Sequence, residues 1–117
     1  MRLYSKTHEW FDTETKEIGI TNFAAEELGD IVFVGLPCSE DELIAGDRFA
    51  DIESVKAVAE IYSPVSGSIA AINVEVIDSP ELINEDADKC WLVRADGECD
   101  IAGLMTEEEY KKFLGEI

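Results

Sequence analysis

The chain has 117 residues, 46% hydrophobic and 31% charged. That suffices for one domain with a real core and excludes a disordered tail. Twenty-seven acidic residues against 9 basic ones give a formal net charge of −18, which sets the surface against nucleic-acid phosphates and anionic membranes and toward basic partners. No apolar run reaches the length of a membrane span,. The opening Met1-Arg2-Leu3-Tyr4-Ser5-Lys6 turns polar too soon for a secretory signal,. Cys38, Cys90 and Cys99 are odd in number and lack Cys-x-x-Cys spacing, so reduced thiols in a cytoplasmic protein are expected.

In chain order, Ile18-Gly19-Ile20-Thr21 reads as the end of a strand. Thr21 or Asn22 then caps a short helix, Phe23-Ala24-Ala25-Glu26-Glu27-Leu28, which Gly29 stops,. Glu26 and Glu27 are placed near the helix start, where the dipole tolerates negative charge. The β-branched and aromatic run Asp30-Ile31-Val32-Phe33-Val34-Gly35-Leu36 predicts a buried strand ended by Pro37,. Residues 38–45 read as acidic and irregular, and Gly46-Asp47 as a turn,.

Residues 48–53 and 58–62 nearly alternate apolar and polar, which predicts a hairpin with a reversal at Ser54-Val55-Lys56-Ala57,. Ser63-Pro64-Val65-Ser66-Gly67-Ser68 is a further turn, and Ile69-Ala70-Ala71-Ile72-Asn73-Val74 a further strand. Residues 78–86 read as a loop leading to a strand at 90–95. Thr106-Glu107-Glu108-Glu109 is a capping box, and Tyr110, Phe113 and Leu114 repeat at helical spacing, so a helix is predicted over about 106–114,. Short strands between Gly/Pro turns, with helices near the ends, give a mainly β barrel or sandwich in a single domain, 1–117.

No catalytic constellation stands out. His8, in Thr7-His8-Glu9-Trp10, is the sole histidine, and among such bulky neighbours it reads as structural or cleft-lining rather than as a general base. The glycines are too dispersed to cradle phosphate. Asp86-Ala87-Asp88 lacks the third acid and the glycine of a calcium loop, so no metal site is expected,. What does stand out is Lys56. Its nearest charged neighbours in sequence are Glu53 and Glu60, so it belongs to no basic patch. A lone lysine on a hairpin tip is placed for another enzyme to find and modify.

Several blocks of sequence carry a family resemblance. They include His8-Glu9-Trp10, Gly19-Ile20-Thr21-Asn22-Phe23-Ala24, and Leu28-Gly29-Asp30-Ile31-Val32-Phe33-Val34 with Leu36-Pro37. Further along come Glu53-Ser54-Val55-Lys56-Ala57, Ile61-Tyr62-Ser63-Pro64-Val65-Ser66-Gly67, Asn73, Pro80-Glu81-Leu82-Ile83-Asn84 and Trp91. Together these resemble the H proteins of the glycine cleavage system and their bacterial H-like relatives.

The resemblance implies a barrel-sandwich hybrid of the lipoyl/biotinyl-carrier type, with a short helix in the N-terminal half and a C-terminal helix. It implies lipoate in amide linkage to Lys56, with Glu53, Ser54, Val55 and Ala57 as the turn that a lipoate ligase or lipoyltransferase reads. It also implies a sheltering cleft, at positions matched here by Thr7, Glu9, Glu27 and Glu60. The chain would then be a monomeric, non-catalytic carrier, its partners glycine decarboxylase, aminomethyltransferase and dihydrolipoamide dehydrogenase. A biotin carrier shares the hairpin logic, but biotinyl lysines usually lie between methionines, and here the flanks are Val55 and Ala57.

Departures from the family pattern fall in loops. Cys90 precedes Trp91 where glycine is common, residues 84–89 lack the usual Pro-Tyr-Gly character, residues 11–17 look trimmed, and Cys38 and Ser39 replace other residue types. These leave the expected fold intact and bear on the partner. The resemblance to H-like relatives implies an alternative: a lipoyl carrier for redox-stress signalling, on which sirtuin- and macrodomain-type enzymes place and remove ADP-ribose in a lipoyl-dependent way, with an acid such as Glu27 as an acceptor, or a relay of lipoyl groups to 2-oxoacid dehydrogenases.

Overall fold

The computed structural model describes residues 1–37 and 41–117. Cys38 and Ser39, two of the off-pattern positions, lie outside the described residues. The strands pair into two sheets, every ladder antiparallel. The first sheet runs β1 (Arg2–Tyr4), β2 (Glu9–Asp12), β3 (Glu17–Ile20), β9 (Val93–Asp96), β8 (Gly67–Ile72), β5 (Glu42–Leu43). The second runs β4 (Ile31–Gly35), β6 (Arg48–Ser54), β7 (Val58–Tyr62). Helix α1 (Asn22–Leu28) joins β3 to β4, and α4 (Glu107–Glu116) closes the chain. The architecture is the expected barrel-sandwich hybrid.

Alternation explains the core. Ile52 and Ile61 of the second sheet are fully or nearly buried, while Asp51 and Glu60, one residue away, are not,. One apolar cluster joins Ile31, Val34, Ile52 and Ile61 to Ala25 and Leu28 of α1. A second lies on the first sheet around Phe11, Ile18, Val65 and Val93. A third is aromatic: Tyr4 stacks on Tyr110 of α4 at 4.7 Å between centroids, beside Trp10. Trp10 is 0% exposed, and its indole N–H donates to the carbonyls of Ile20 at 2.9 Å and Ala87 at 3.2 Å. Gly19 faces it. A Cβ there would fall 2.6 to 2.9 Å from the indole, so only glycine fits this approach.

Two helix ends follow the sequence closely. Thr21 caps α1, its Oγ1 accepting from Ala24 N, and Gly29 ends the helix. Thr106 and Glu109 form the capping box of α4, whose last turns run past residue 114 to Glu116. Other expectations change. Glu26 and Glu27 sit in the last turn of a seven-residue helix, where the dipole opposes them,. Val74 opens a helix, α2 (Val74–Asp78), instead of ending a strand. The segment read as a loop contains α3 (Leu82–Glu85), followed by a 3₁₀ turn at Ala87–Lys89. The last strand begins at Val93 and not at Cys90. The run at Ile31–Gly35 is a strand, but Val32 and Phe33 are 55% and 47% exposed.

Candidate functional site

Ser54 builds the lysine tip. Its backbone N–H donates to Ala57 O at 2.8 Å. Its hydroxyl oxygen accepts from the N–H groups of Lys56 at 3.3 Å and Ala57 at 3.0 Å. A side chain that satisfies two backbone donors closes a reversal without demanding glycine. Below it the ladder is in register, Glu53 opposite Val58 and Ile52 opposite Ala59.

The tip is also tied sideways. Val55 N donates to Asp30 O at 3.0 Å, and Asp30 lies between Gly29 and Ile31, both held by Asn84. The Asn84 side-chain oxygen accepts from Ile31 N at 2.8 Å, and its nitrogen donates to Gly29 O at 2.8 Å. An amide that uses both ends of its dipole fixes the connection on which the lysine turn rests.

Lys56 is exposed, and its stem runs over Gly29. A Cβ at Gly29 would lie 3.3 Å from Lys56 Cε and 3.8 Å from Nζ. Gly29 has φ 82° and ψ −149°, a region that essentially only glycine occupies. The same residue therefore ends α1 and lets the lysine stem lie close.

Beside Gly29 opens a cleft of about 560 Å³. Thr7, Glu9, Glu27 and Glu60, four residues far apart in sequence, all line it. Its apolar surface comes from Phe23 and Leu28 of α1 and from Leu114 and Ile117 at the chain's end. No lysine or arginine is among its described lining residues.

Glu9 is 1% exposed. Thr7 Oγ1 and Ser5 Oγ donate to its Oε1, the latter at 2.7 Å, and Tyr62 N donates to Oε2 at 3.4 Å. Burial pushes its carboxyl above the usual range, the three hydrogen bonds opposing,. Glu60 is exposed and accepts from the Tyr62 hydroxyl at 3.0 Å.

His8 stands at the same cleft with a left-handed backbone, φ 72°. Its Nδ1 shares a proton with the Tyr110 hydroxyl at 2.8 Å, and that hydroxyl meets Thr21 Oγ1 at 2.9 Å. Burial lowers its pKa, with Glu27 pulling the other way. This network joins the β1–β2 turn, the cap of α1 and helix α4, the role of a structural, cleft-lining histidine. Glu27, a rim carboxylate, is its acidic neighbour.

The apolar contribution of α4 to the cleft is not legible from sequence, because it depends on how α4 docks against the first sheet. The Gly29–Lys56 approach had a signal, a helix-stopping glycine beside a strand, but its lysine partner is 27 positions away. Cys90 is half-buried, and burial, with Glu75 and Glu85, pushes its thiol up to about 11. Such a thiol is a poor nucleophile. Among the described residues, no three His, Cys, Asp or Glu side chains gather as a metal would require.

Residues 2–117 match the glycine cleavage H-protein family. The chain is 48% identical to the glycine cleavage system H protein of Staphylococcus carnosus and likewise to that of Staphylococcus saprophyticus. In each case the match covers 97% of this chain and 94% of the relative. Its fold superposes on the crystal structure of a glycine cleavage system H protein from Mycobacterium marinum with a TM-score of 0.82. That pair is 33% identical, with 97% of this chain and 96% of that one covered.

Proposed function

This chain belongs to the glycine cleavage H-protein family, and from that premise we propose that it is a lipoyl carrier modified on Lys56. In this reading residues 1–117 are one non-catalytic domain. It shuttles an aminomethyl group and reducing equivalents between glycine decarboxylase, aminomethyltransferase and dihydrolipoamide dehydrogenase. The observation that carries the reading is the placement of Lys56, on a braced, exposed tip whose stem passes over Gly29, the neighbour of Leu28 in the wall of a cleft with apolar and acidic groups.

The residues present fit a lipoyl group. An amide at Nζ extends an apolar chain, and the cleft whose wall includes Leu28, next to Gly29, offers the apolar surface of Phe23, Leu28 and Leu114. When attached, the group supplies a disulfide–dithiol couple, and tethering raises its local concentration at each partner's active site. The chain's own residues do the rest. Ser54 and Asn84 hold the tip, and Gly29 keeps the path of the stem open. Glu9, Glu27 and Glu60, with Thr7 beside them, give the cleft the negative character that receives a protonated amine. The apolar walls limit water around it.

Incubation of the purified protein with a lipoate ligase, lipoate and ATP tests the reading. The expected result is a mass gain of one lipoyl group, mapped to Lys56 by peptide analysis and absent from Lys56→Arg. An unmodified Lys56, under conditions that load a reference carrier, would contradict it.

A further inference from the structure

A regular strand through Ile31-Val32-Phe33-Val34 would turn every second side chain inward. The register of β4 on β6 instead shifts between Ile31 and Phe33. Ile31 and Val34 are 4% and 1% exposed, while the two residues between them both face solvent. A bulge of this kind re-aims side chains, and here it puts a valine and a phenylalanine together on the outer face. Phe33 pairs across with Glu53, and Glu53 with Val58, which is 69% exposed. Val55, also 69% exposed, adjoins at the tip. The four apolar side chains therefore gather around Glu53, on the hairpin that carries Lys56.

We infer that Val32, Phe33, Val55 and Val58 form a docking surface for the enzyme that acylates Lys56, extending its contact beyond the turn across the outer face of β4, β6 and β7. The inference rests on the reading of Lys56 as the modified residue. An active site that encloses Nζ must cover the tip, and a standard interface takes about 800 Å² from each partner. Strands lie roughly 4.8 Å apart, so a footprint of that size centred on Lys56 reaches Phe33, two strands from β7. Asp30, Asp51 and Glu60 flank the patch. With a net charge of −18, a second copy of this chain would bring like charges face to face. An enzyme with an apolar floor and a basic rim is complementary.

The test compares the wild-type chain, the double variant V32T/F33T, the single variant V58T, and I101T, which alters an exposed isoleucine outside the patch. Threonine keeps strand propensity while removing apolar surface. Each is acylated by a lipoate ligase with lipoate and ATP. The new bond joins Nζ to the lipoyl carbonyl, the carboxyl oxygen leaves on AMP, pyrophosphate is released and the lysine proton goes to solvent. Lipoylation of Lys56 is followed by mass spectrometry, folding by circular dichroism and self-association by sedimentation.

The expected result is a kcat/KM at least tenfold lower for V32T/F33T and severalfold lower for V58T, mainly through KM, with I101T at the wild-type value. Should the double variant fail to fold, V58T on the edge strand still decides the matter. Wild-type kcat/KM in the folded patch variants overturns the inference. So does a wild-type dimer that the variants abolish at unchanged kcat/KM. No acylation of the wild-type chain at all sinks the reading of Lys56 itself, and this inference with it.

Discussion

At the scale of the residue, the site depends on side chains held where their own preferences oppose. Glu9 is the clearest case. Its carboxyl is buried and raised above the ordinary value despite three donors aimed at it. A raised folded-state value means that the protonated form suits the fold better. Its stability contribution is complete below the unfolded value, about 4.3, and is lost as pH rises through the folded one. Urea unfolding of Glu9→Gln beside the wild type should therefore show the variant gaining relative stability as pH rises from about 4 to 7, with the gap closing at the acid end. A gap that widens toward acid would contradict this. Glu9 could be picked from sequence by its place in His8-Glu9-Trp10. Its burial could not, because beyond the local Ser5 and Thr7 it also takes the backbone N–H of Tyr62, which reaches it from β7 of the other sheet.

Among the elements, the lysine turn was legible because it is local. Alternation on both flanks and a reversal of four residues, closed by Ser54, need nothing from the rest of the chain. Helices α2 and α3 were not, since elements of five and four residues are too short for periodicity to register. Val74-Glu75-Val76 alternates like a strand, but only Val76 enters the core. The bulge in β4 was hidden for the opposite reason, as four consecutive apolar residues look buried whichever way they point.

Asn84 shows what the missed helix α3 contributes. Asn84→Ala removes both hydrogen bonds that hold Gly29 and Ile31 and leaves the Ile31 N–H, partly shielded from water, without its partner. A loss of about 1–3 kcal/mol is expected in chemical denaturation, together with faster amide exchange at Val55, whose acceptor is Asp30 O. A variant with wild-type stability and exchange would show that the tip is not braced from this side.

Over the whole molecule, turn spacing and alternation predict a mainly β barrel or sandwich, the Thr106–Glu109 capping box a C-terminal helix, and the family resemblance a barrel-sandwich hybrid, and the structure has these features. How the parts meet was not expected. Helix α4 reaches the cleft because Tyr4, Trp10 and Tyr110 pack together and Tyr110 bonds His8 and Thr21. Those contacts span about a hundred residues of sequence, and no local pattern encodes them. The same long-range packing gathers Thr7, Glu9, Glu27 and Glu60 around one cleft, lined also by Leu28, whose neighbour Gly29 lies under the Lys56 stem.

A chain that works as a carrier through Lys56 must pass its lipoyl group through a partner's active site. Glycine–bicarbonate exchange by a glycine decarboxylase, supplied with this protein after ligase treatment, tests it most directly. The lipoylated wild-type chain should support exchange, and Lys56→Arg, treated alike, should leave only the background rate. Equal exchange with both proteins, or none with a fully lipoylated wild-type chain when a reference H protein succeeds, would contradict the account.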